Sequence, residues 1–536
     1  MVGINAGLIK SHVKLNRMKK ITLSLLALGF GFTTWAQQDE IAMRYAETIS
    51  AEDLKEDLLI IASDSFAGRE TGTAGQRMAA AYIANHFKQS GLKVQQQKFD
   101  IVKSKTDTSF VIAAGARYEF MEDFYFFPGA PDYTANFTEV VFLGYGIDDS
   151  LYSDYKGVDV AGKAIVILNG EPIMRDDNFL LTKSTQPSEW STKFNKKIAY
   201  AESKGVAAVF ILDPDAKKNM KNYKFYLTRE STKLAADTKE KDSFMPALYV
   251  SEKMAEDLLM GEIKKFEKIA KKIGRKKKPI NKTVANNNVD ISLSNAVERA
   301  SSTNVLGYLP GSDLKEEVVV ITAHYDHIGI VDGEINNGAD DDGSGTVTVL
   351  ELAEAFAQAK TNGHGPRRSI LFMCVSGEEK GLLGSKYYTD NPIYPLENTI
   401  CNLNIDMVGR VDDKHKKNPD YVYLIGSDKL STELHALSEE ANTTYTQIEL
   451  DYTYNEPGDP NRFYYRSDHY NFAKNNIPVI FYFNGTHEDY HKPTDTVEKI
   501  NFDKMEKIGK LVYHTAWKVA NRNERLKVDV ENDFEN

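Results

Sequence analysis

Short apolar runs alternate with helical patterns in the second half of the chain. Four of these runs have the length and composition of buried strands: 318–323, 369–375, 399–405 and 477–483. A helical spacing of apolar positions lies between the first two, from Ser344 to Lys360. Strands that alternate with helices predict an α/β fold, in which a mostly parallel central sheet is covered by helices on both faces.

The first part of the chain carries two predicted helices. The segment from Ser50 to Asp53 has a capping-box pattern and begins a helix that runs through Ile61. A second helix extends from about Gln76 to Gln89, with Gly91 as its stop signal. We assign residues 37–137 to the same domain as the later sheet.

From about Glu139 the pattern changes to short strands with few helices, which is typical of a small β-rich domain. These strands carry no cluster of catalytic residue types. We therefore predict an insert over residues 138–290, which ends in a linker-like segment after Lys278-Pro279. The main domain then resumes over residues 291–522, and residues 523–536 form a polar tail.

The N-terminus has the features of a secretory signal peptide. A basic segment at Met18-Lys19-Lys20 precedes a short apolar run, Ile21 to Phe32, and a small-residue cleavage site ends at Ala36. The apolar run is shorter than the roughly 20 residues of a membrane span. We expect residues 1–36 to be removed and the mature protein to be secreted or periplasmic. An over-extended start, with Met18 as the initiator, is the accompanying hypothesis.

The charge of the chain argues against nucleic acid as a partner. The formal net charge is −11, and residues 1–36 hold five Lys/Arg and no Asp/Glu, which leaves about −16 on the mature chain. One basic run stands out, Lys264 to Lys278. We interpret it as a solvated helix and loop; contact with an anionic envelope surface is the alternative.

The two cysteines, Cys374 and Cys401, both lie within apolar runs interpreted as core strands. A secreted protein could pair them. Adjacent parallel strands are an awkward geometry for a disulfide. We therefore expect two buried thiols, with a disulfide as the alternative.

Acidic and imidazole residues follow the predicted strands. His324 and Asp326 come directly after the first apolar run, and in an extended segment they face the same side, so that Asp326 can orient a metal-bound imidazole. Glu378 and Glu379 follow the second run, and Asp406 follows the third. Because ligands of such sheets bind at the carboxyl ends of the strands, these side chains should converge in one crevice.

Two further segments add to this set. Asp340-Asp341-Asp342 places three acids beside glycines at the start of a helix. Helix capping explains one acid, whereas three adjacent like charges need a neutralising cation. His491 lies in a polar loop after the fourth strand.

Mixed nitrogen and oxygen ligands suit Zn²⁺. Two histidines and at least three carboxylates exceed what one hydrolytic zinc with an open position requires. They suit a pair of metal ions about 3.5–4 Å apart that share a carboxylate and a water. The sequence therefore predicts two zinc ions per chain.

At this point the chain resembles the M28 family of zinc peptidases, and in particular its dizinc aminopeptidases. The motifs that carry the resemblance are GRETGTAG, HYDH, GADDDGSG, SGEEKGLLGS, NIDMVGR and DYHKPTDT. The inserted region resembles a protease-associated (PA) domain, most clearly in KAIVILNG and AYAESKGVAAVFI.

The resemblance implies a role for each ligand. His324 and Asp406 would hold one zinc, and Glu379 and His491 would hold the other. Asp341 would bridge the two ions. A secreted exopeptidase that removes N-terminal residues from peptides is the implied function.

The resemblance also implies the catalytic groups. Glu378 would be the general base for a water activated between the two zinc ions, and Tyr490 would stabilise the oxyanion. Asp326 matches the family's partner of the ligand histidine. The family has a cis peptide after its bridging aspartate, which implies one between Asp341 and Asp342.

Three alternatives stay open on the same fold. A carboxypeptidase would need basic residues for the substrate carboxylate, and Arg410 and Arg466 are candidates. A single-zinc glutaminyl cyclase is disfavoured because both His324 and Asp326 are present. A non-enzymatic binding protein is disfavoured because the ligand set is complete. The segment from Asp451 to Arg466 is a candidate wall for the substrate pocket, with an ordinary surface loop as the alternative.

Overall fold

A computed structural model of the chain describes residues 39–193, 195–238, 244–285, 288–456 and 458–531. The predicted signal peptide, Asn286-Asn287 of the predicted linker and the end of the polar tail lie outside the described residues. The α-helices are α1 Glu40–Ala46, α2 Ala51–Ile61, α3 Ala74–Gln89, α4 Glu189–Thr192, α5 Lys196–Ser203, α6 Ala216–Asn222, α7 Lys224–Thr228, α8 Glu252–Leu258, α9 Phe266–Lys276, α10 Gly345–Thr361, α11 Leu383–Asp390, α12 Thr432–Ala441, α13 His469–Ala473 and α14 Phe502–Asn521.

The strands, also in chain order, are β1 Lys93–Thr106, β2 Phe110–Ala113, β3 Ala116–Glu119, β4 Phe124–Tyr125, β5 Tyr133–Phe137, β6 Val140–Leu143, β7 Asp148–Asp149, β8 Tyr152–Ser153, β9 Ala164–Leu168, β10 Ala208–Leu212, β11 Ser231–Leu234, β12 Ala247–Val250, β13 Asn281–Val284, β14 Val289–Leu293, β15 Asn295–Leu309, β16 Leu314–His324, β17 Gly329–Val331, β18 Glu334–Asn336, β19 Arg368–Val375, β20 Thr399–Ile405, β21 Tyr421–Ile425, β22 Glu449–Asp451 and β23 Val479–Phe483.

The main sheet has nine strands in the order β11-β1-β15-β19-β16-β20-β23-β21-β22. Its centre is parallel, because β19 pairs with β16, β16 with β20 and β20 with β23 in the same direction. The four predicted buried strands are β16, β19, β20 and β23. The structure therefore places the carboxyl ends of all four at one edge of the sheet.

Both faces are buried at the centre of this sheet. Along β16, Val319 and Ile321 pack with the helices of one face, whereas Val318 and Val320 belong to the apolar cluster on the other face. The first face is covered by α1, α2, α3, α10, α12 and α14, and the second by α11 and α13. Solvent reaches neither face, which explains why these strands are continuous apolar runs instead of alternating patterns.

The sheet as a whole is mixed, and the long β1–β15 ribbon explains why. These strands pair antiparallel over 14 residues, from Lys93 opposite Tyr308 to Thr106 opposite Asn295. The chain leaves the sheet along β1 and returns along β15, with the insert between them. Strand β11 of the insert then pairs antiparallel with β1 at the sheet edge. The α/β class is confirmed, with parallel order at the centre and antiparallel strands at the flanks.

The insert contains a six-stranded sheet, β13-β6-β9-β10-β12-β4, and a four-stranded sheet, β3-β2-β14-β5. Its first strand begins at Phe110, before the boundary near 138 predicted from the sequence. The segment from Tyr118 to Phe137 has no clear period because it forms short strands around aromatic packing, with the rings of Phe120 and Phe126 4.8 Å apart. The likeness to a PA domain stays a prediction.

Cys374 and Cys401 are free and buried, as expected. They lie on β19 and β20, which flank β16, opposite Ala323 and Val319 respectively. An intervening strand separates the two thiols, so that a disulfide cannot form between them. Among the described residues, no helix is long and apolar enough to cross a membrane.

Candidate metal centre

The predicted site residues converge at the carboxyl ends of the four parallel strands. His324 is the last residue of β16, and Asp406 directly follows β20. Glu378 and Glu379 lie in the turn after β19, and His491 lies in the loop after β23. Strands that are adjacent in the sheet thus bring together residues that are far apart in the sequence.

Asp341 lies between two groups of ligand atoms. Its Oδ1 is 3.4 Å from Nε2 of His324, which is itself 3.6 Å from Oδ1 of Asp406. Its Oδ2 is 3.1 Å from Nε2 of His491, which is also 3.1 Å from Oε2 of Glu379. One carboxylate therefore faces two separate histidine–carboxylate groups, one on each oxygen.

The second group contains a histidine that was not predicted. His327 is fully buried, and its Nδ1 lies 2.9 Å from Oε1 of Glu379 and 3.8 Å from Oδ2 of Asp341. Its ring stands edge-on to the ring of His491, with centroids 5.6 Å apart. His327 belongs to the HYDH motif, but it lies beyond the end of β16. The strand pattern therefore did not predict that its side chain faces the site.

The three consecutive acids have three different partners. Asp340 accepts the N–H of Gly409 on Oδ1. Asp342 accepts the N–H groups of Gly345 and Met407 on Oδ1 and that of His324 on Oδ2. The outer acids therefore hold the backbone on either side of the site, and only the middle acid turns toward the ligands. The Asp341–Asp342 peptide is cis.

Asp326 supports His324 differently from the prediction. Nδ1 of His324 lies 3.1 Å from the backbone carbonyl of Asp326, whereas the carboxylate is 3.8 Å away. That carboxylate instead accepts hydrogen bonds from the Thr71 hydroxyl and the Glu378 N–H. The chain turns after β16, which brings the carbonyl to the imidazole and aims the side chain at the neighbouring loop.

The loop before α3 holds the backbone segments that carry the site residues. The buried guanidinium of Arg69 donates hydrogen bonds to the backbone carbonyls of Tyr325, Ile61, Asn337 and Gly338. Gly68 has a φ of +67°, and a Cβ there would lie 2.3 Å from the carbonyl oxygen of Asn336. The GRETG segment thus fixes the positions of the HYDH and GADDD motifs.

Asp495 holds the backbone beneath the bridging residue, and sequence reasoning missed it. Its carboxylate accepts the N–H groups of Asp340 and Asp341. It is buried and lies 3.9 Å from the guanidinium of Arg410. Asp495 lies in the polar loop HKPTDT, and nothing in this local sequence indicates the long-range contact.

The electrostatics of the cluster favour a cation. Burial opposes the charge of Asp341, but the imidazoles of His324 and His491 outweigh it and hold the pKa of that carboxyl well below its usual range. Burial likewise opposes a charge on His491, but Asp341 and Glu379 raise its pKa to about 10. The carboxylates thus draw protons onto the imidazoles, at positions where a metal ion would supply the same positive charge.

Unpaired polar atoms test whether a metal would fit. Oδ2 of Asp341, Oε1 of Glu379, Nε2 of His491 and both ring nitrogens of His327 are buried and lack a hydrogen-bond partner among the described residues. Within this cluster, two groups of three residues hold ligand atoms within 4.8 Å of one another: His324, Asp341 and Asp406; and His327, Asp341 and Glu379. Nitrogen and carboxylate donors in this arrangement fit Zn²⁺.

Glu378 and Tyr490 lie beside the metal ligands. Burial, and then Glu379 and Asp406, raise the pKa of Glu378 well above its ordinary value, although His324 opposes the shift. Burial, and then Asp341 and Glu379, also raise the pKa of Tyr490, so that its hydroxyl keeps its proton. Zinc ions at the neighbouring ligands would oppose the rise at Glu378 and favour its carboxylate, which can accept a proton, whereas the Tyr490 hydroxyl can donate a hydrogen bond.

An open cleft lies beside these residues. Its lining combines site residues with apolar and aromatic side chains: His324, Asp341, Glu378, Asp406, Met407, Phe463, Arg466, Phe481, Phe483, Thr486 and Tyr490. The predicted wall from Asp451 to Arg466 contributes its last part, whereas Asp451 itself contacts Lys414 away from the cavity.

The two arginines named for a carboxypeptidase have different surroundings. Arg410 is held by Asp489, with an N–O distance of 2.9 Å, and cannot serve a substrate carboxylate without breaking this pair. Arg466 is exposed at the cavity, and no carboxylate among the described residues lies within 4.0 Å of its guanidinium. Only Arg466 is free to bind a substrate anion.

Comparisons with known proteins find similarity to peptidases. Residues 304–516 match the model of peptidase family M28. The chain is 27% identical over 240 residues to Aminopeptidase YwaD of Bacillus subtilis (strain 168), which covers 43% of this chain and 48% of that protein. It is 31% identical over 227 residues to Leucine aminopeptidase 1 of Penicillium rubens, which covers 40% of this chain and 56% of that protein. The chain spans about half the length of the curated relatives it matches.

A solved structure extends the likeness to most of the chain. The aminopeptidase from Aneurinibacillus sp. strain AM-1 aligns with a TM-score of 0.54 and 19% sequence identity, and the alignment covers 92% of this chain and 100% of that chain. At this level of identity the similarity is one of fold.

Proposed function

We propose that this protein is a zinc-dependent aminopeptidase that removes the first residue of peptides; the match of residues 304–516 to the model of peptidase family M28 supports this assignment. The observation that carries the proposal is the position of Asp341, whose two oxygens face two histidine–carboxylate groups. His324 and Asp406 would hold one zinc, and Glu379 and His491 the other. A bound zinc pair polarises a carbonyl and lowers the pKa of an attacking water.

The residues of the chain would supply the proton transfers. Glu378 would accept a proton from the attacking water and return it to the leaving amine; its position supports this role, because it lines the cavity and its Oε2 lies 3.9 Å from Nε2 of His324. Tyr490 lines the same cavity and donates a hydrogen bond to the carbonyl oxygen as negative charge develops there. The buried position of the cluster strengthens both interactions, since water screens them less.

The cavity supports an apolar first residue as the preferred substrate. Phe463, Phe481 and Phe483 form one aromatic wall, with ring centroids 4.9 Å apart for Phe463–Phe483 and 5.2 Å apart for Phe481–Phe483. An aliphatic or aromatic side chain buried against these rings would lose contact with water, at a gain of roughly 1.5–3 kcal/mol.

Arg466 favours a second candidate function, a carboxypeptidase on the same site. Its free guanidinium could hold the α-carboxylate of a peptide. The test compares tripeptides with a free and an amidated C-terminus, with the Arg466→Gln variant as the third arm. An aminopeptidase cleaves both peptides at their first bond. A carboxypeptidase cleaves only the free one, and loses that activity with Arg466→Gln.

The number of metal ions tests the proposal independently of any substrate. The chelated protein should bind two zinc ions per chain on titration, as measured by elemental analysis after gel filtration. His491→Ala and Asp406→Ala should each reduce the bound zinc toward one ion. A stoichiometry of one in the wild type would contradict the bridging role of Asp341.

We also propose, from the sequence of residues 1–36, that the mature enzyme acts in the periplasm or outside the cell.

A further inference from the structure

The insert carries a helix whose exposed face is almost entirely basic. Residues 264–278 contain nine Lys/Arg and one acid, Glu267, a net charge of +8. The whole chain has a net charge of −11, which leaves −19 on all other residues. Positive charge is therefore concentrated in one short segment of an otherwise acidic protein, a distribution that orients a molecule toward an anionic partner.

Helical spacing arranges these charges on one side of α9. Lys268, Lys272 and Lys276 follow one another at intervals of four residues and form a single stripe, with Lys271 and Arg275 beside it. All five of these side chains are exposed. Lys277 and Lys278 extend the positive charge beyond the helix end.

The opposite face of the helix fixes it to the body of the insert. Phe266 and Ile273 are buried, and the ring of Phe266 lies 5.9 Å from that of Phe142. The backbone approaches closely at Gly274, where a Cβ would lie 1.8 Å from the carbonyl oxygen of Ile173. The apolar face is thus occupied, and the basic face is held outward by packing.

The basic side chains have few partners within the protein. Among the described residues, Lys271 pairs with Glu267, and no other Lys/Arg between 264 and 278 has a carboxylate within 4.0 Å. Repulsion between these neighbouring charges is therefore only partly compensated within the described structure. An external anion would remove it.

We propose that the basic face of α9, with Lys277 and Lys278, is a docking surface for an anionic phospholipid leaflet. Eight of the nine cations are lysines, whose point charges suit a diffuse layer of headgroups better than the fixed fork of arginine does. The net charge of −19 on all other residues disfavours a long nucleic acid, which would extend beyond this short segment. Since the apolar face is buried, docking is electrostatic and reversible, without insertion into the bilayer.

The experiment measures sedimentation of the mature chain, from residue 37 onward, with vesicles. One set contains phosphatidylcholine mixed with phosphatidylglycerol, and the other contains phosphatidylcholine alone. We expect binding to the anionic set only, and its loss at about 0.5 M salt. Lys268→Gln/Lys272→Gln/Lys276→Gln should weaken binding about 100-fold, given the contribution of each lysine near an anionic leaflet.

A matched control distinguishes binding by this surface from a nonspecific effect of the protein's net charge. Lys217→Gln/Lys218→Gln/Lys221→Gln removes the same charge from exposed positions on or beside α6, in the same insert, and should bind like the wild type. Equal binding to neutral vesicles, an unaffected α9 variant, or an equal loss in the control would overturn the proposal. So would tighter binding to a DNA duplex than to anionic vesicles at the same salt. Peptidase activity on a soluble peptide should be the same in all three proteins.

Discussion

The carboxylate of Asp495 accepts the backbone N–H of Asp341, with an N–O distance of 3.2 Å. The same carboxylate accepts the N–H of Asp340. These bonds hold the backbone of the bridging residue from the side opposite its carboxylate. The position of Asp341 between its two histidine partners thus depends on a residue more than 150 positions later in the chain.

We expect Asp495→Asn to weaken zinc binding and kcat/KM by about 10–100-fold. Oδ2 of Asp495 accepts from both residues, and Oδ1 accepts a further bond from Asp340. In the amide, a donor replaces one of these two acceptor oxygens, and the negative charge beneath the site is lost. Zinc titration and peptide hydrolysis measure the effect. Asp503→Asn, an exposed change at the start of α14, is the control. Unchanged zinc affinity in Asp495→Asn would show that the backbone of Asp340 and Asp341 keeps its position without this carboxylate.

The adjacent glutamates should separate catalysis from metal binding. Glu378→Gln removes the proton acceptor but no proposed ligand, so kcat should fall by about 10²–10⁴-fold with two zinc ions retained. Glu379→Gln should instead lose zinc, because its carboxylate lies 3.1 Å from Nε2 of His491. Elemental analysis alongside kinetics distinguishes them. If Glu378→Gln lost the metal and Glu379→Gln kept it, the two roles would be reversed.

His327 should support the second zinc position. Its Nδ1 contacts Glu379 and has no other hydrogen-bond partner among the described residues. We expect His327→Gln to lower the affinity for one of the two zinc ions by about 10–100-fold while the other ion stays bound. Competition with a chelator would resolve the two affinities. A variant that binds both ions as tightly as the wild type would make His327 a packing residue only.

Glu351 makes stability depend on pH. The residue is 4% exposed on α10, and burial, followed by Asp53, Glu354 and Asp57, raises its pKa from 4.5 to about 8. Between these values the folded state retains a proton that the unfolded state has released. The stabilisation is therefore complete below the unfolded pKa and is lost as the pH rises through the folded pKa.

Glu351→Gln removes this titration. We expect its free energy of unfolding to exceed that of the wild type by on the order of 2–4 kcal/mol near pH 8 and to differ little near pH 4. Urea denaturation at both pH values measures the difference, with Asp503→Asn, an exposed change on α14, as the control. A constant difference at both pH values would mean that Glu351 does not titrate in this range.

The strand-end motifs could be predicted because they depend on local order. His324, Glu379 and Asp406 follow apolar runs of strand length, and a parallel sheet places such positions at one edge, whatever conformation the loops adopt. The N-cap at Ser50 was predictable for the same reason, and its side chain accepts the N–H of Asp53 as expected.

The remaining features depend on contacts that leave no local pattern. The β1–β15 ribbon pairs residues about 200 positions apart, so the antiparallel flank and the start of the insert at Phe110 could not be read from periodicity. Asp326 uses its carbonyl for His324 because of a turn that the alternation rule for strands does not cover. His327 and Asp495 contact residues that are distant in the sequence and come together only in the folded chain.

The most direct test of the account is hydrolysis of one short peptide that begins with leucine, with a free and with an acetylated N-terminus. Each is incubated with the mature protein, then with the chelated protein, then after zinc is restored. The account predicts release of the first residue from the free peptide alone, lost on chelation and regained with zinc. Cleavage of the acetylated peptide from its other end, or activity that survives removal of all bound zinc, would contradict it.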